Sequence, residues 1–253
     1  MNKNLQIKKI RNKLKSNKYS IGTFVQINNA DIVEIISSQG YEWIALDLEH
    51  GKINYSDLTN LFRSIEINNS IPLVRLGENS EYACKKIMDA GACGLIIPML
   101  KNAEELQNVI NFSLWPPKGR RGVGYARANN YGKSFEYYLK NLSQNPLIIP
   151  MIENKEFVSN LEKIIKMKNI DAFFIGPYDL SASLGDPGNF ETKTFKNNIT
   201  YILKICKKYN TPVGIHIVEP NKDELKRKIK SGFQFLAYSL DTVFITKSSE
   251  LPL

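Results

Sequence analysis

The sequence predicts a single-domain α/β protein, a (β/α)8 TIM barrel spanning residues 1–253. Two observations carry that prediction. Eight short apolar runs rich in β-branched residues recur along the chain, and amphipathic stretches of helical period separate them. Continuous apolar runs of this length suit parallel strands covered on both faces, and eight of them alternating with helices is the count of a closed barrel. A chain of 253 residues that is 43% hydrophobic and free of low-complexity tracts can bury such a core as one unit.

In chain order the runs are IGTFVQI from Ile21, WIALDLEH from Trp43, IPLVRLG from Ile71, GLIIPML from Gly94, LIIPMIE from Leu147, AFFIGPYDL from Ala172, PVGIHIV from Pro212 and FQFLAYSLD from Phe233. Between them lie DIVEIISSQG, YSDLTNLFRSIEI, EYACKKIMDAG, NAEELQNVINF, KEFVSNLEKIIKM and NKDELKRKIKSG. Asp, Asn or Ser caps open several of these helical stretches, and Gly40, Gly91, Gly232 and, more loosely, Gly185 stand where four of them end. Two insertions interrupt the rhythm. The longer, at about 113–145, contains WPPKGRRGVGYARANNYGKS and the helical SFEYYLKNLSQ. Read as following the fourth strand, it is expected at the catalytic face, where a barrel builds its site. SASLGDPGNFETK, after the sixth run, is expected at the same face.

Composition narrows the function classes. The formal charge is +9, but Lys alternates with Glu and Asp, as in EPNKDELKRKIK, instead of gathering with aromatics on one stripe. That pattern belongs to solvated helix faces and argues against a nucleic-acid partner. The N-terminal MNKNLQIKKIRNKLKSNKYS lacks the apolar stretch of a signal peptide, and no run approaches the roughly 20 apolar residues of a membrane span. A cytoplasmic location without a membrane partner is therefore expected. Cys84, Cys93 and Cys206 are an odd number without CxxC spacing, which favours free thiols.

The chemistry should lie where the strands end. The tips read Asp47, Glu49 and His50, then Arg75, Pro98, Glu153, Asp179, His216 with Glu219, and Asp241, and each charged residue among them interrupts an otherwise apolar run. Glu153 and Asp179 end adjacent strands, so their carboxylates can converge on one hard cation and leave coordination positions open for water and substrate; each taken alone equally suits a cap on the helix that follows it. His50, one of two histidines, suits a general base near neutral pH. Arg75 offers permanent charge and forked donors that stabilise an enolate oxygen or bind a carboxylate, unless it serves only an ion pair with Glu49 or another rim acid. GxxxxGK[ST], post-strand GxGxxG, GxSxG and HExxH are all absent, against kinase-like, dinucleotide, serine-hydrolase and metalloprotease readings.

DLEH at 47–50, PLVRL around Arg75, the LIIPML strand, PPKGRRGVGYARAN, the P-x-I-E of the fifth run and FIGPYDLSASLGDPG together closely resemble the class II pyruvate aldolases, the family of 4-hydroxy-2-oxoheptanedioate and 2-dehydro-3-deoxyglucarate aldolases. The resemblance runs from about Ser20 to Asp241. It implies a lyase that cleaves a 4-hydroxy-2-oxo acid to pyruvate and an aldehyde with one divalent ion, Mg2+, Mn2+ or Co2+, and a homo-oligomer, hexameric or smaller. Residue by residue it makes Glu153 and Asp179 the metal ligands, His50 the proton acceptor and Arg75 the stabiliser of the enolate. It also places at Asp89 the aspartate that pairs with the histidine. Barrel geometry puts Asp89, at the end of a helix, on the opposite face, and Asp47 is the local competitor for that role.

Two substrate-binding positions depart from the family. Met151 stands where Gln commonly hydrogen-bonds the substrate, and Tyr178 stands where a small residue is usual, beside Asp179. TVFITKSSELPL, after the eighth run, is shorter than the family's terminal helix. Two other readings follow from these points: a related metal barrel acting on another 2-oxo acid or phosphoenolpyruvate, as in surface-sugar synthesis, and a non-catalytic basic barrel that binds nucleic acid. Intact His50, Arg75, Glu153 and Asp179 argue against the second.

Overall fold

A computed structural model describes residues 2–143 and 145–251. All eight apolar runs are strands, β1 Ser20–Val25, β2 Trp43–Asp47, β3 Ile71–Arg75, β4 Gly94–Ile97, β5 Leu147–Ile152, β6 Phe173–Ile175, β7 Val213–Ile217 and β8 Phe235–Leu240. They close in sequence order into one parallel barrel. The helices are α1 Lys3–Lys15, α2 Ala30–Ser37, α3 Leu58–Glu66, α4 Glu81–Ala90, α5 Ala103–Ser113, α6 Phe135–Asn141, α7 Lys155–Ile164, α8 Pro177–Ser183, α9 Lys193–Lys208, α10 Lys222–Lys230 and α11 Asp241–Ser248. Asn29, Ser80, Asn102, Asn154, Thr192 and Asn221 cap six of them through their side chains. Gly40, Gly91, Gly185 and Gly232 adopt the left-handed φ expected where helices end.

Strand alternation divides the core into two layers. Ile44, Leu46, Val74, Leu95, Ile97 and Phe173 pack outward against the helices, while Trp43, Ala45, Leu73, Ile96, Met151 and Phe174 point into the barrel. Trp43 stacks on Phe235 at 4.3 Å between centroids, and a Cβ at Gly22 would stand 2.0 Å from the Trp43 ring, so only glycine admits that indole. Ile7, Ile10 and Leu14 of α1 join the inner layer, so α1 plugs the N-terminal end of the barrel. Their three- and four-residue spacing is an amphipathic stripe.

One expectation about the 113–145 insertion is corrected. It leaves the end of α5, not the end of β4, and a helix-to-strand connection returns to the N-terminal side of the barrel. Arg127 donates to Ala90 O at 3.0 Å and pairs with Glu66, which end α4 and α3, and Asn4 of α1 donates to Asn141 at 3.2 Å. The excursion therefore builds the floor with α1, remote from the strand tips. The shorter insertion does follow β6 and α8 on the C-terminal side. All three cysteines are buried and free, and no helix among the described residues is long and apolar enough to cross a membrane.

Candidate active site

The site begins with two residues facing each other in register. Asp47 ends β2, Arg75 ends β3, and the strands pair them directly. Arg75 grips the fully buried Asp47 with a fork, Nε to Oδ1 at 2.8 Å and Nη2 to Oδ2 at 2.5 Å. Gln26, following β1, donates its amide to Asp47 Oδ2 at 2.8 Å, and the backbone N–H groups of Glu49 and His50 donate to Oδ1 at 3.1 and 3.2 Å. Burial pushes the Asp47 pKa up, but Arg75 and these donors outweigh it and hold the carboxyl below its ordinary value. Asp47 thus shapes the turn that carries His50 without touching the imidazole. The carboxylate nearest that ring is Glu49, with Oε2 3.9 Å from Nε2, and the His50 side chain is 56% exposed.

Arg75 also sets Nη1 3.2 Å from Glu49 Oε2, the ion pair anticipated between them, and lays its guanidinium over the Phe24 ring at 5.1 Å. Opposite lies Glu153, immediately after β5 and 2% exposed. Its Oε1 accepts the backbone N–H of Met99, a residue held at φ 58°, while its Oε2 is buried without a hydrogen bond. Burial, then the neighbouring charges of Glu49 and Asp179, push the Glu153 pKa up to about 7 against the Met99 N–H and Arg75. Glu49 moves the same way, raised chiefly by burial, and its Oε2 is also buried outside hydrogen-bond geometry. A Cβ at Gly176 would lie 3.1 Å from Glu153 Oε2 and 3.1 Å from Met151 Cε, so glycine leaves room for the acid there.

His50, Arg75, Met151, Tyr178, Asp179 and His216 line one cavity of about 280 Å³ at the C-terminal mouth of the barrel, with Glu153 behind Met151 and Gly176. Asp179 and Tyr178, in the first turn of α8, are exposed, and Tyr178 packs edge-on against Phe190 at 5.1 Å. Asp89 is not with them: it lies near the end of α4, where burial raises its pKa against the charges of Arg121, Lys85 and Lys86. Within one chain it does not reach His50. Two rim acids also prove structural. Asp241 accepts the N–H groups of Gln26, Ile27 and Thr242 at 2.8–2.9 Å and closes the β8–β1 seam, and Glu219 pairs with the exposed Lys247. Gln26 escaped the sequence reading, although it is the polar interruption near the end of the first apolar run.

The residues suit a divalent ion. Two buried carboxylate oxygens lack hydrogen bonds, and Glu49, Glu153 and Asp179 repel one another across the gap. Among the described residues no group of three or more His, Cys, Asp or Glu is placed to hold a metal ion by itself, so an ion here would need oxygens from water or substrate.

The family model described as HpcH/HpaI aldolase/citrate lyase matches residues 20–247, the whole barrel. The chain belongs to that family. It is 31% identical over 235 residues to the 2-keto-3-deoxy-L-rhamnonate aldolase of Escherichia coli K12, covering 92% of this chain and 87% of that protein. The same enzyme of Salmonella gallinarum is 31% identical over 230 residues, 90% of this chain and 85% of the other. Among solved structures, an HpcH/HpaI aldolase/citrate lyase family protein from Burkholderia cenocepacia superposes with a TM-score of 0.89 at 24% identity, over 95% of this chain and 96% of that one. The HpcH/HpaI aldolase of Desulfitobacterium hafniense follows at 0.86 and 23%, over 95% and 96%. The protein is thus a TIM-barrel enzyme of an aldolase family, a carbon–carbon lyase.

Proposed function

We propose that the protein is a metal-dependent class II aldolase that cleaves a 4-hydroxy-2-oxo acid to pyruvate and an aldehyde. The observation that carries this reading is the unpartnered, buried Glu153 Oε2 set behind a cavity shared by Asp179, His50 and Arg75. Glu153 and Asp179 would hold the ion, Mg2+, Mn2+ or Co2+, whose charge would polarise the keto and carboxylate oxygens of the substrate. His50, open to solvent at the cavity edge, accepts the C4 hydroxyl proton. The C3–C4 bond then breaks, its electrons form the enolate of pyruvate, and the aldehyde leaves; protonation at C3 completes pyruvate. Arg75 has five N–H donors, of which two bind Asp47 and one faces Glu49, so donors remain for the developing oxyanion. A preorganised donor of this kind is commonly worth ~3 kcal/mol, about a hundredfold in rate.

Asp89 pairs with a histidine in this reading only across a subunit boundary, since its own His50 lies at the other end of the barrel. A homo-oligomer in the cytoplasm is the setting we infer. Met151 in the cavity wall keeps one further reading open, the same rim acting on another 2-oxo acid or on phosphoenolpyruvate. Incubating the enzyme with Mn2+ and a panel of 4-hydroxy-2-oxo acids, and measuring pyruvate with a coupled dehydrogenase, separates the two. Pyruvate from at least one member supports the aldolase; none from any member, with turnover of phosphoenolpyruvate, overturns it.

A further inference from the structure

The chain has two histidines, and the mechanism above uses only His50. His216, on β7, lines the same cavity. Its Nε2 lies 3.1 Å from the carbonyl oxygen of Ser239, an atom that can only accept, so Nε2 carries the ring proton. That carbonyl is well anchored: Thr23 Oγ1 donates to it at 3.0 Å, and Ser239 sits at φ 56°. The imidazole rests on Phe24 at 5.0 Å between centroids, and Phe24 also carries Arg75. Burial pushes the His216 pKa down to about 4 against the Ser239 hydrogen bond, which leaves the ring neutral at physiological pH. A neutral ring protonated at Nε2 presents Nδ1 as an acceptor. Among the described residues no hydrogen bond to Nδ1 is formed, and the half-buried ring lines the cavity, so Nδ1 is the acceptor left for what the cavity holds.

An open acceptor asks for a donor. In a 4-hydroxy-2-oxo acid the keto and carboxylate groups only accept, and His50 takes the C4 hydroxyl, so a donor for His216 must lie beyond C4. Apart from Gln26, Tyr178 and the charged residues already placed, the cavity lining is apolar, with Phe24, Met151, Phe174, Val218 and Leu240. Among the described residues Arg75 is the only Lys or Arg lining the cavity, and its open donors serve the pyruvate half, so a second carboxylate on the aldehyde half would find no cation of its own. We propose that His216 is a specificity-determining residue whose Nδ1 accepts a hydrogen bond from a hydroxyl on the aldehyde half of the substrate, which is hydroxylated and uncharged beyond C4. This rests on the aldolase reading.

The test compares kcat/KM for 4,5-dihydroxy-2-oxopentanoate and 4-hydroxy-2-oxopentanoate, which differ only in the C5 hydroxyl. The wild type should prefer the dihydroxy acid by about fivefold, the scale of one neutral hydrogen bond, and H216L, apolar and of similar size, should bring the ratio to about one. H216N, whose amide oxygen accepts, should keep part of the preference. A wild type that favours the deoxy acid or neither, or an H216L enzyme with the ratio intact, overturns the proposal. If H216L does not fold, nitrogen NMR of 15N-histidine-labelled wild-type protein still decides: the proposal requires the Nε2-protonated form at one histidine, and a Nδ1-protonated His216 overturns it. Failure of the aldolase reading is distinct, because then neither acid yields pyruvate and the methyl protons of pyruvate do not exchange.

Discussion

Acids at the two ends of this barrel meet opposite fates. On the floor, Glu66 lies between Lys3 at 2.7 Å and Arg127 at 3.0 Å, Asp171 is gripped by Arg11 at 2.6 Å, and Glu42 pairs with Lys13. Burial alone would raise the Glu66 pKa, but its two cations hold it below the ordinary value. On the rim, one guanidinium stands against Asp47, Glu49, Glu153 and Asp179, and Asp47 takes most of it. Glu153 and Glu49 are left raised, with buried oxygens unbonded. These three floor acids each have a cation and serve stability; the rim acids are short of positive charge, which the proposed ion would supply. An acid stranded in the interior is costly, so its persistence marks a site where a cation is expected.

The largest effect should come from emptying the rim of its acids. Glu153→Ala with Asp179→Ala should cut pyruvate release by more than ~100-fold, since even residues that only orient a metal ligand are worth roughly 10- to 100-fold. Excess EDTA should do the same to the wild type, with Mn2+ or Co2+ restoring the rate. Added Mn2+ should also raise the melting temperature of the wild type but not of the double variant. Full activity of the double variant or of the chelated enzyme would remove the metal assignment and, with it, the contrast between the two ends.

His50 and Arg75 should fail differently, and exchange of pyruvate methyl protons into D2O separates them because it reports enolate formation without an aldehyde. His50→Ala should lose most of kcat while keeping pyruvate binding; Arg75→Ala should lose enolate formation as well, on the order of a hundredfold. Arg75→Ala also strips the buried Asp47 of its partner, a cost of roughly 3–5 kcal/mol, so Arg75→Lys is the companion variant that keeps the charge. Undiminished exchange in folded Arg75→Ala would refute its role.

The strands were legible because each is a continuous apolar run, and the rim acids because charge at the end of such a run has no packing reason. Cross-strand pairing was not legible: nothing local to DLEH or VRLG says that Asp47 and Arg75 share a register and lock together, which is why Asp47 read as a rival partner for His50. The 113–145 insertion was misassigned because its face depends on whether it leaves a strand or a helix, and α5 intervenes. α1 and α9 went unread, α1 because its three core residues are diluted by lysine. Asp89 illustrates the last kind of gap: it lies near the end of α4, away from the rim that carries His50, and nothing within one chain joins the two.

The floor offers its own test through pH. Because Glu66 has a folded pKa below the 4.5 of an ordinary glutamate, its contribution is fully present above the unfolded value and is lost as pH falls through the folded one. Glu66→Gln should lower the melting temperature at pH 7 while flattening its decline on acidification below about pH 5, and the activity per folded enzyme should hold. An acid limb as steep as that of the wild type would mean that Lys3 and Arg127 do not act through Glu66.

The smallest expected effect belongs to Met151, which lines the cavity beside Glu153 and is 2% exposed. If the family's Gln hydrogen-bonds the substrate here, Met offers an apolar wall of nearly the same volume that cannot replace the bond. One such contact is worth ~1 kcal/mol, several-fold in affinity, so the enzyme should act poorly on dicarboxylic 4-hydroxy-2-oxoheptanedioate and Met151→Gln should improve kcat/KM for it by that factor. The gain should appear in KM more than in kcat, because the bond forms equally in ground and transition states. No gain in Met151→Gln, or a native enzyme already efficient on the dicarboxylic acid, would show that specificity is set elsewhere on the rim.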